Sequence, residues 1–420
     1  MRDGLDGLVE RLRVVGGGCA KAADLAHVLQ RGGTHVVVVH GLCKGRAQGL
    51  DAPAHIRSVR RPTRARAGLW GVKRRAASCI RPIRGDTSTM SEQASRAVEW
   101  LLSSAEPAVR LLTRRDVLGE ALRPGELDQV LTGSRVTALL AGQHADGGFG
   151  VHPYRKWTGA HWRLVSLVEL AIPAGEPRAV AAVEQVLAWL TAPARQDVVV
   201  VNGLARRCAS MEGNALAVCC RLGLSDDPRV RRLAEQLIAW QWADGGWNCD
   251  KRAAARRSSF HESLPALWGL HEFARATGDP SAETAAGRTA ELLLEHRLFR
   301  RLSTGEPVSS AWLRPRYPPY WHYDVLQALL VLSRLDRLGD PRAADALDEL
   351  ERQRRPDGCW ASRGRWWNDP GSTRAPEVVD WGRSGPNELI TLNALRVLKA
   401  GGRLRSGVGD TGIEPVTSSV

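Results

Sequence analysis

The chain is short of several features that would place it in other classes. No stretch approaches the roughly 18 consecutive apolar residues of a membrane span, and its N-terminal region lacks the apolar core of about 7–15 residues that marks a signal peptide. These absences point to a cytoplasmic protein that touches membranes at most peripherally. The eight cysteines include no C-x-x-C pair, which argues against a redox motif or a disulfide framework. Cys219 and Cys220, adjacent in an apolar run, read as reduced thiols. Phe and Tyr number only 4 each against 15 Trp, so aromatic surface is concentrated in indoles. Excess positive charge is concentrated at the start. Residues 1–89 hold 17 Lys/Arg and 6 Asp/Glu, leaving 42 against 39 for the remainder. The basic character therefore belongs to the leader and is no sign that the rest binds nucleic acid.

Three strings recur: Gln143-His-Ala-Asp146-Gly-Gly-Phe149, Gln241-Trp-Ala-Asp244-Gly-Gly-Trp247 and Gln353-Arg-Arg-Pro-Asp357-Gly-Cys-Trp360. Their aromatics lie 98 and 113 residues apart, each gap fitting two units of about 50 residues. A glycine after a helical run takes the left-handed conformation that stops the helix, and the aromatic folds back over the end. Asp227-Pro228, Asp279-Pro280 and Asp340-Pro341, with Glu176-Pro177 as a weaker copy, place a capping acceptor before a proline at the first helical position. Val230, Leu233, Ala234, Leu237 and Ile238 then form one apolar stripe. Helices such as Val325–Leu332 are apolar nearly all round, hence buried on every side.

Pairing amphipathic outer with apolar inner helices gives six hairpins, at 93–104/107–120, 124–143/161–172, 177–190/211–223, 228–241/258–276, 281–296/320–336 and 341–354/386–400. The expected fold is all-α, an α6/α6 toroid over residues 90–400, with an open solenoid as the alternative. Residues 1–89, which include a strand-like run at Val36–Val39, read as a disordered leader or as lying upstream of the true start. The Gly/Ser-rich segment from Gly401 to Val420 reads as a disordered tail.

Gln followed by Gly-x-Trp resembles the QW repeat of squalene and other terpenoid cyclases, and the layout is similar to the terpenoid-cyclase/protein-prenyltransferase α/α toroid over about residues 91–400. The resemblance implies an isoprenoid-directed enzyme. Two family motifs are missing: the Asp-x-Asp-Asp box of the cyclases, and the Asp-x-Cys of the prenyltransferase zinc site. Ser258–Leu270 resembles the His-bearing helix start of the latter.

The polar residues opening the inner helices are the functional signal: His161, Glu212 with Asn214, His261 with Glu262, His322 with Asp324, and Asn387 with Glu388. Closure would bring them to one mouth, where helix N-termini favour an anion; helix capping is the plain alternative. Asp324 or Glu262 is the expected general acid, desolvated so that it holds its proton, with His322 or His261 as partner. The loops add Lys251, Arg252 and Arg256 for a diphosphate. Trp157, Trp162, Trp312, Trp321, Trp366, Trp367 and Trp381 offer rings to a carbocation or to sugars. No cofactor is firmly implied; a divalent metal held by Cys249, Asp250 and His261 or His322 is an alternative. Three functions stay open: an isoprenoid cyclase or prenyltransferase acting on an apolar or anionic small molecule, a glycan-cleaving toroid, and a non-catalytic lipid- or protein-binding toroid. A deep dry pocket would favour the first and a Trp-lined groove the second.

Overall fold

The computed structural model describes residues 91–404. The expected leader with its strand-like run, and the tail beyond residue 404, lie outside the described residues. Within them are thirteen α-helices. The first hairpin joins α1 (Glu92–Leu102) to α2 (Pro107–Leu112), which continues as a π-helical turn, Thr113–Leu118. In the second, α3 (Glu126–Val130) and α4 (Ser134–Leu140) precede α5 (Ala160–Glu169); in the third, α6 (Pro177–Leu190) precedes α7 (Ala209–Arg221). The remaining pairs are α8 (Pro228–Trp240) with α9 (Phe260–Thr277), α10 (Pro280–Glu295) with α11 (Val325–Arg334), and α12 (Ala344–Arg352) with α13 (Glu388–Ala400).

Two outer helices differ from expectation. The span 124–143 is broken near Gly133, because the Glu106 carboxylate reaches in to accept from Ser134 Oγ (3.0 Å) and Arg135 N–H (3.1 Å) and so starts a new helix. The span 341–354 opens with a 3-10 turn, Pro341–Ala343. A hairpin of two short antiparallel strands, β1 (Val199–Val201) and β2 (Leu204–Arg206), was not expected.

The turn strings repeat in atomic detail. Trp247 Nε1 donates to Leu237 O (3.0 Å) and Trp360 Nε1 to Leu350 O (2.8 Å), both indoles being fully buried. Trp247 N–H is received by Ser263 Oγ (3.1 Å) and Trp360 N–H by Thr391 Oγ1 (3.0 Å), each on the inner helix that follows. Gln241 and Gln143 donate to the carbonyls of Gly245 (2.9 Å) and Gly147 (3.0 Å), groups the turn would leave unpaired. Gly147, Gly245 and Gly358 all have φ between +83° and +92°. Each presses on the next outer helix: a Cβ would lie 2.1 Å from Ala181 O, 2.5 Å from Arg288 O and 2.0 Å from Gln93 O. Only glycine meets both demands.

The third of those contacts runs from the sixth hairpin to the first. There α13 packs against α1, α2 and the π-helical turn, Arg396 pairs with Asp116, and Ser91 N–H donates to Leu404 O (3.2 Å). Inner helices pack in the series α5, α7, α9, α11, α13. The outer helices bury one stripe, as α8 does with Val230, Leu233, Ala234 and Leu237, whereas α5 buries every residue from Ala160 to Val168.

Candidate functional site

Between the inner helices lies a slit of only about 50 Å³, lined among others by Val165, Asn214, Leu264, Trp268, Tyr320 and His322. That is room for about three or four water molecules. The loop Tyr317-Pro-Pro-Tyr320 contributes part of its lining. Above it, His322 is sandwiched between Trp366 (3.7 Å between ring centres, 6°) and Trp321 (4.0 Å, 23°), and Trp157 stacks on Tyr320 (3.7 Å, 5°). Burial lowers the His322 pKa to about 3. The ring is therefore neutral near pH 7, and its Nδ1 lies 3.2 Å from Pro319 O.

A second group gathers where α7 and α9 begin. Glu212 is fully buried and takes Arg207 Nη2 at 2.6 Å and Arg195 Nη2 at 3.2 Å. His161 is buried among Tyr154, Trp162 and Trp189, with Nε2 unpartnered, and burial lowers its pKa to about 3. Glu262 accepts from Ser210 N–H (3.0 Å), and its other oxygen lies 3.3 Å from Cys249 Sγ. Burial raises the Glu262 pKa; the Cys249 thiol is raised first by its hydrogen bond to Cys208, then by burial. The metal set that the sequence offers as an alternative, Cys249 and Asp250 with His261 or His322, is not brought together. Asp250 turns to Arg252 on the exposed loop, His261 accepts from Tyr323 N–H (2.8 Å), and His322 is held in the indole stack. Cys249 instead meets Cys208 and Glu262.

A third feature is a groove of about 760 Å³ at the start of α9. Its lining combines apolar Phe260, Leu292, Leu302, Val308 and Trp312 with Arg256, Arg257, Arg301 and His261. Asp244 and Glu295 also border it, but Asp244 is occupied by Ser258 N–H (2.9 Å) and Oγ (2.6 Å). Because Tyr323 N–H donates to His261 Nδ1, the neutral ring carries its proton on Nε2.

Other expected site residues have structural partners or lie exposed. Asp324 is a helix cap, accepting from Gln327 N–H (2.9 Å) and Arg316 N–H (3.4 Å); Asn387 caps α13 through Ile390 N–H (3.0 Å). Glu388 pairs with Arg135, while Lys251 and Arg252 are exposed. Burial of Asp324 nevertheless raises its pKa to about 7. Its folded pKa lies above the unfolded value near 3.8, so the native state binds the extra proton and stability falls as pH rises from about 4 to about 7. Asp324→Asn keeps the acceptor for Gln327 without the charge. Relative to the unaltered protein it should gain stability between pH 5 and pH 8, on the order of 2 kcal/mol. Urea unfolding at the two pH values checks this, and a gap that does not widen with pH would refute it.

Several site residues carry no sequence signal of their own. Cys208, just before α7, becomes visible only through its approach to Cys249. Glu377, in an irregular loop, is buried against Tyr320 OH and raised by burial to about 7. At the C-terminal ends of the inner helices a cavity of about 480 Å³ is bordered by Glu169, Arg221, Glu272 and Arg334. Glu169 pairs there with Arg334 (3.0 Å), and Arg221 with Glu272 (2.9 Å).

All five cysteines among the described residues are free thiols. No helix among these residues is long and apolar enough to cross a membrane. No family model matches the chain, and no curated protein matches it. Two solved structures resemble it. A protein from Actinoplanes does so with 18% identity and a TM-score of 0.36, over 74% of this chain and 98% of that one. A type II terpene cyclase from Scytonema, a variant in complex with its product merosterolic acid A, does so with 14% identity and a TM-score of 0.24, over 66% of this chain and 97% of that one.

Proposed function

We propose that the six hairpins close into an α6/α6 toroid, and that the protein is an isoprenoid-directed enzyme of the prenyl-transfer type acting in the groove at the start of α9. Closure is supported by the Gly358–Gln93 contact, which repeats between the last and first hairpins what Gly147 and Gly245 make between neighbours. The observation that carries the functional reading is the groove, whose size is that of a small-molecule site and whose lining combines apolar and cationic side chains. An allylic diphosphate has matching halves. Its anion would meet Arg256, Arg257, Arg301 and the His261 Nε2–H, near the positive end of an 18-residue helix. Its chain would lie along Leu292, Leu302, Val308, Phe260 and Trp312.

Cyclisation started by protonating an alkene has less support. The Asp324 carboxylate is engaged by two backbone N–H groups, and the slit beside His322 is too small for a polyprene. In the groove, the allylic C–O bond would break with its electron pair leaving on the diphosphate, eased by the arginines as charge builds on the leaving oxygen, and the allylic cation would be captured by a nucleophilic atom of the acceptor, or by water in the assay without one. The test is incubation of the full chain with geranyl, farnesyl and geranylgeranyl diphosphate and with squalene, following release of inorganic diphosphate and organic product. The triple variant Arg256→Ala/Arg257→Ala/Arg301→Ala should lose about 100-fold or more in kcat/KM at an unchanged melting temperature. Turnover of squalene alone, or a triple variant as active as the parent, would count against the assignment.

A further inference from the structure

The geometry points to a binding site for one thiophilic divalent cation of the zinc kind, formed by Cys208, Cys249 and Glu262 with a fourth position left open. The three come from separate segments: the link between β2 and α7, the loop after Trp247, and the first turn of α9. One ligand atom from each lies within 4.8 Å of the other two. Cys249 Sγ and Glu262 Oε1 are 3.3 Å apart. Around a tetrahedral zinc, with bonds near 2.3 Å to sulfur and 2.0 Å to oxygen, neighbouring ligand atoms stand roughly 3.5–3.8 Å apart. The Cys249–Glu262 pair already stands near that spacing.

The backbone holds the thiols in place. Arg206 and Asn248 form a parallel bridge, and Arg207 N–H donates to Asn248 O (3.2 Å), so Cys208 and Cys249 follow a fixed junction. Ser210 N–H holds one Glu262 oxygen (3.0 Å) and leaves the other toward the thiols, the outer hydrogen bond that orients a ligating carboxylate. The nearby guanidinium groups are spoken for: Arg195 and Arg207 both turn to Glu212. No fixed positive charge therefore occupies the trio. Two sulfur donors select zinc-like ions over magnesium or calcium. Three protein ligands leave a position for water or a substrate atom, the pattern of a reactive metal and not of a closed structural one.

This site does not depend on the groove holding a prenyl diphosphate, so the two tests are separate. Full-length protein, reduced and stripped with chelator, is titrated with Co²⁺ while the thiolate-to-cobalt charge-transfer absorption is followed, and Zn²⁺ is then added. The expected result is saturation at one equivalent and bleaching by zinc. The band should be lost in Cys208→Ser and Cys249→Ser, and binding should weaken at least about tenfold in Glu262→Gln. Cys219→Ser, buried elsewhere in α7, should behave as the parent, with circular dichroism checking that each variant is folded. Absence of a charge-transfer band in the unaltered protein would overturn the proposal, as would a band that survives in the Cys208→Ser/Cys249→Ser double variant.

Discussion

Replacing Trp247 with alanine should destabilise the protein by about 3–5 kcal/mol, read as a fall in the urea midpoint at constant slope. The indole is fully buried between α8 and α9 and donates to Leu237 O, so the change opens a cavity and leaves that carbonyl without its partner. Trp360→Ala should cost a similar amount, since its indole is equally buried and bonds Leu350 O in the same way. Phe149→Ala should cost less. Phe149 is only partly buried and is covered by the Arg163 guanidinium, 3.9 Å from its ring centre. Equal losses at all three positions would mean that the strings do not act through burial of the aromatic.

The second large effect is expected at Glu212. Its carboxylate has no exposed surface and is the shared partner of Arg195 and Arg207. Glu212→Ala leaves two enclosed guanidinium groups without an anion, a change that typically costs about 3–5 kcal/mol. The cost should shrink when Arg207→Ala is combined with it, because one stranded charge is then removed. A double-variant cycle measures this coupling. If Glu212→Ala abolished activity at an unchanged unfolding free energy, Glu212 would belong to the reacting group and not to its support.

Comparison of sequence and structure separates what short-range physics encodes from what assembly decides. The all-α class was legible because glycine-ended turns, Asp-Pro starts and apolar stripes are local rules, and helices lie within each expected pair, though the span 124–143 is broken and the one expected from 320 starts at Val325. The break at Gly133 was not legible, since it depends on Glu106 reaching across from the preceding hairpin. The polar residues opening the inner helices were found, but their common placement hid three roles. Asp324 and Asn387 cap, Glu212 and Glu388 pair with arginines, and His161, His261 and His322 lie among aromatic rings. Which role wins depends on what the connecting loops bring alongside. The Tyr317–Tyr320 segment lines the slit and the 297–312 loop lines the groove, and neither follows a periodic pattern. Cys208 was overlooked for the same reason: its meeting with Cys249 is set by one bridge, Arg206 to Asn248.

Calorimetric titration of the full chain with farnesyl diphosphate, inorganic diphosphate and farnesol measures whether the basic and apolar residues of the groove act as one site. Both halves of the groove are expected to contribute, so farnesyl diphosphate should bind at one equivalent and at least about tenfold more tightly than either fragment, with a negative heat-capacity change from apolar burial. Its affinity should fall in the arginine triple variant. No heat with farnesyl diphosphate, or equal affinity for it and for inorganic diphosphate, would contradict the account.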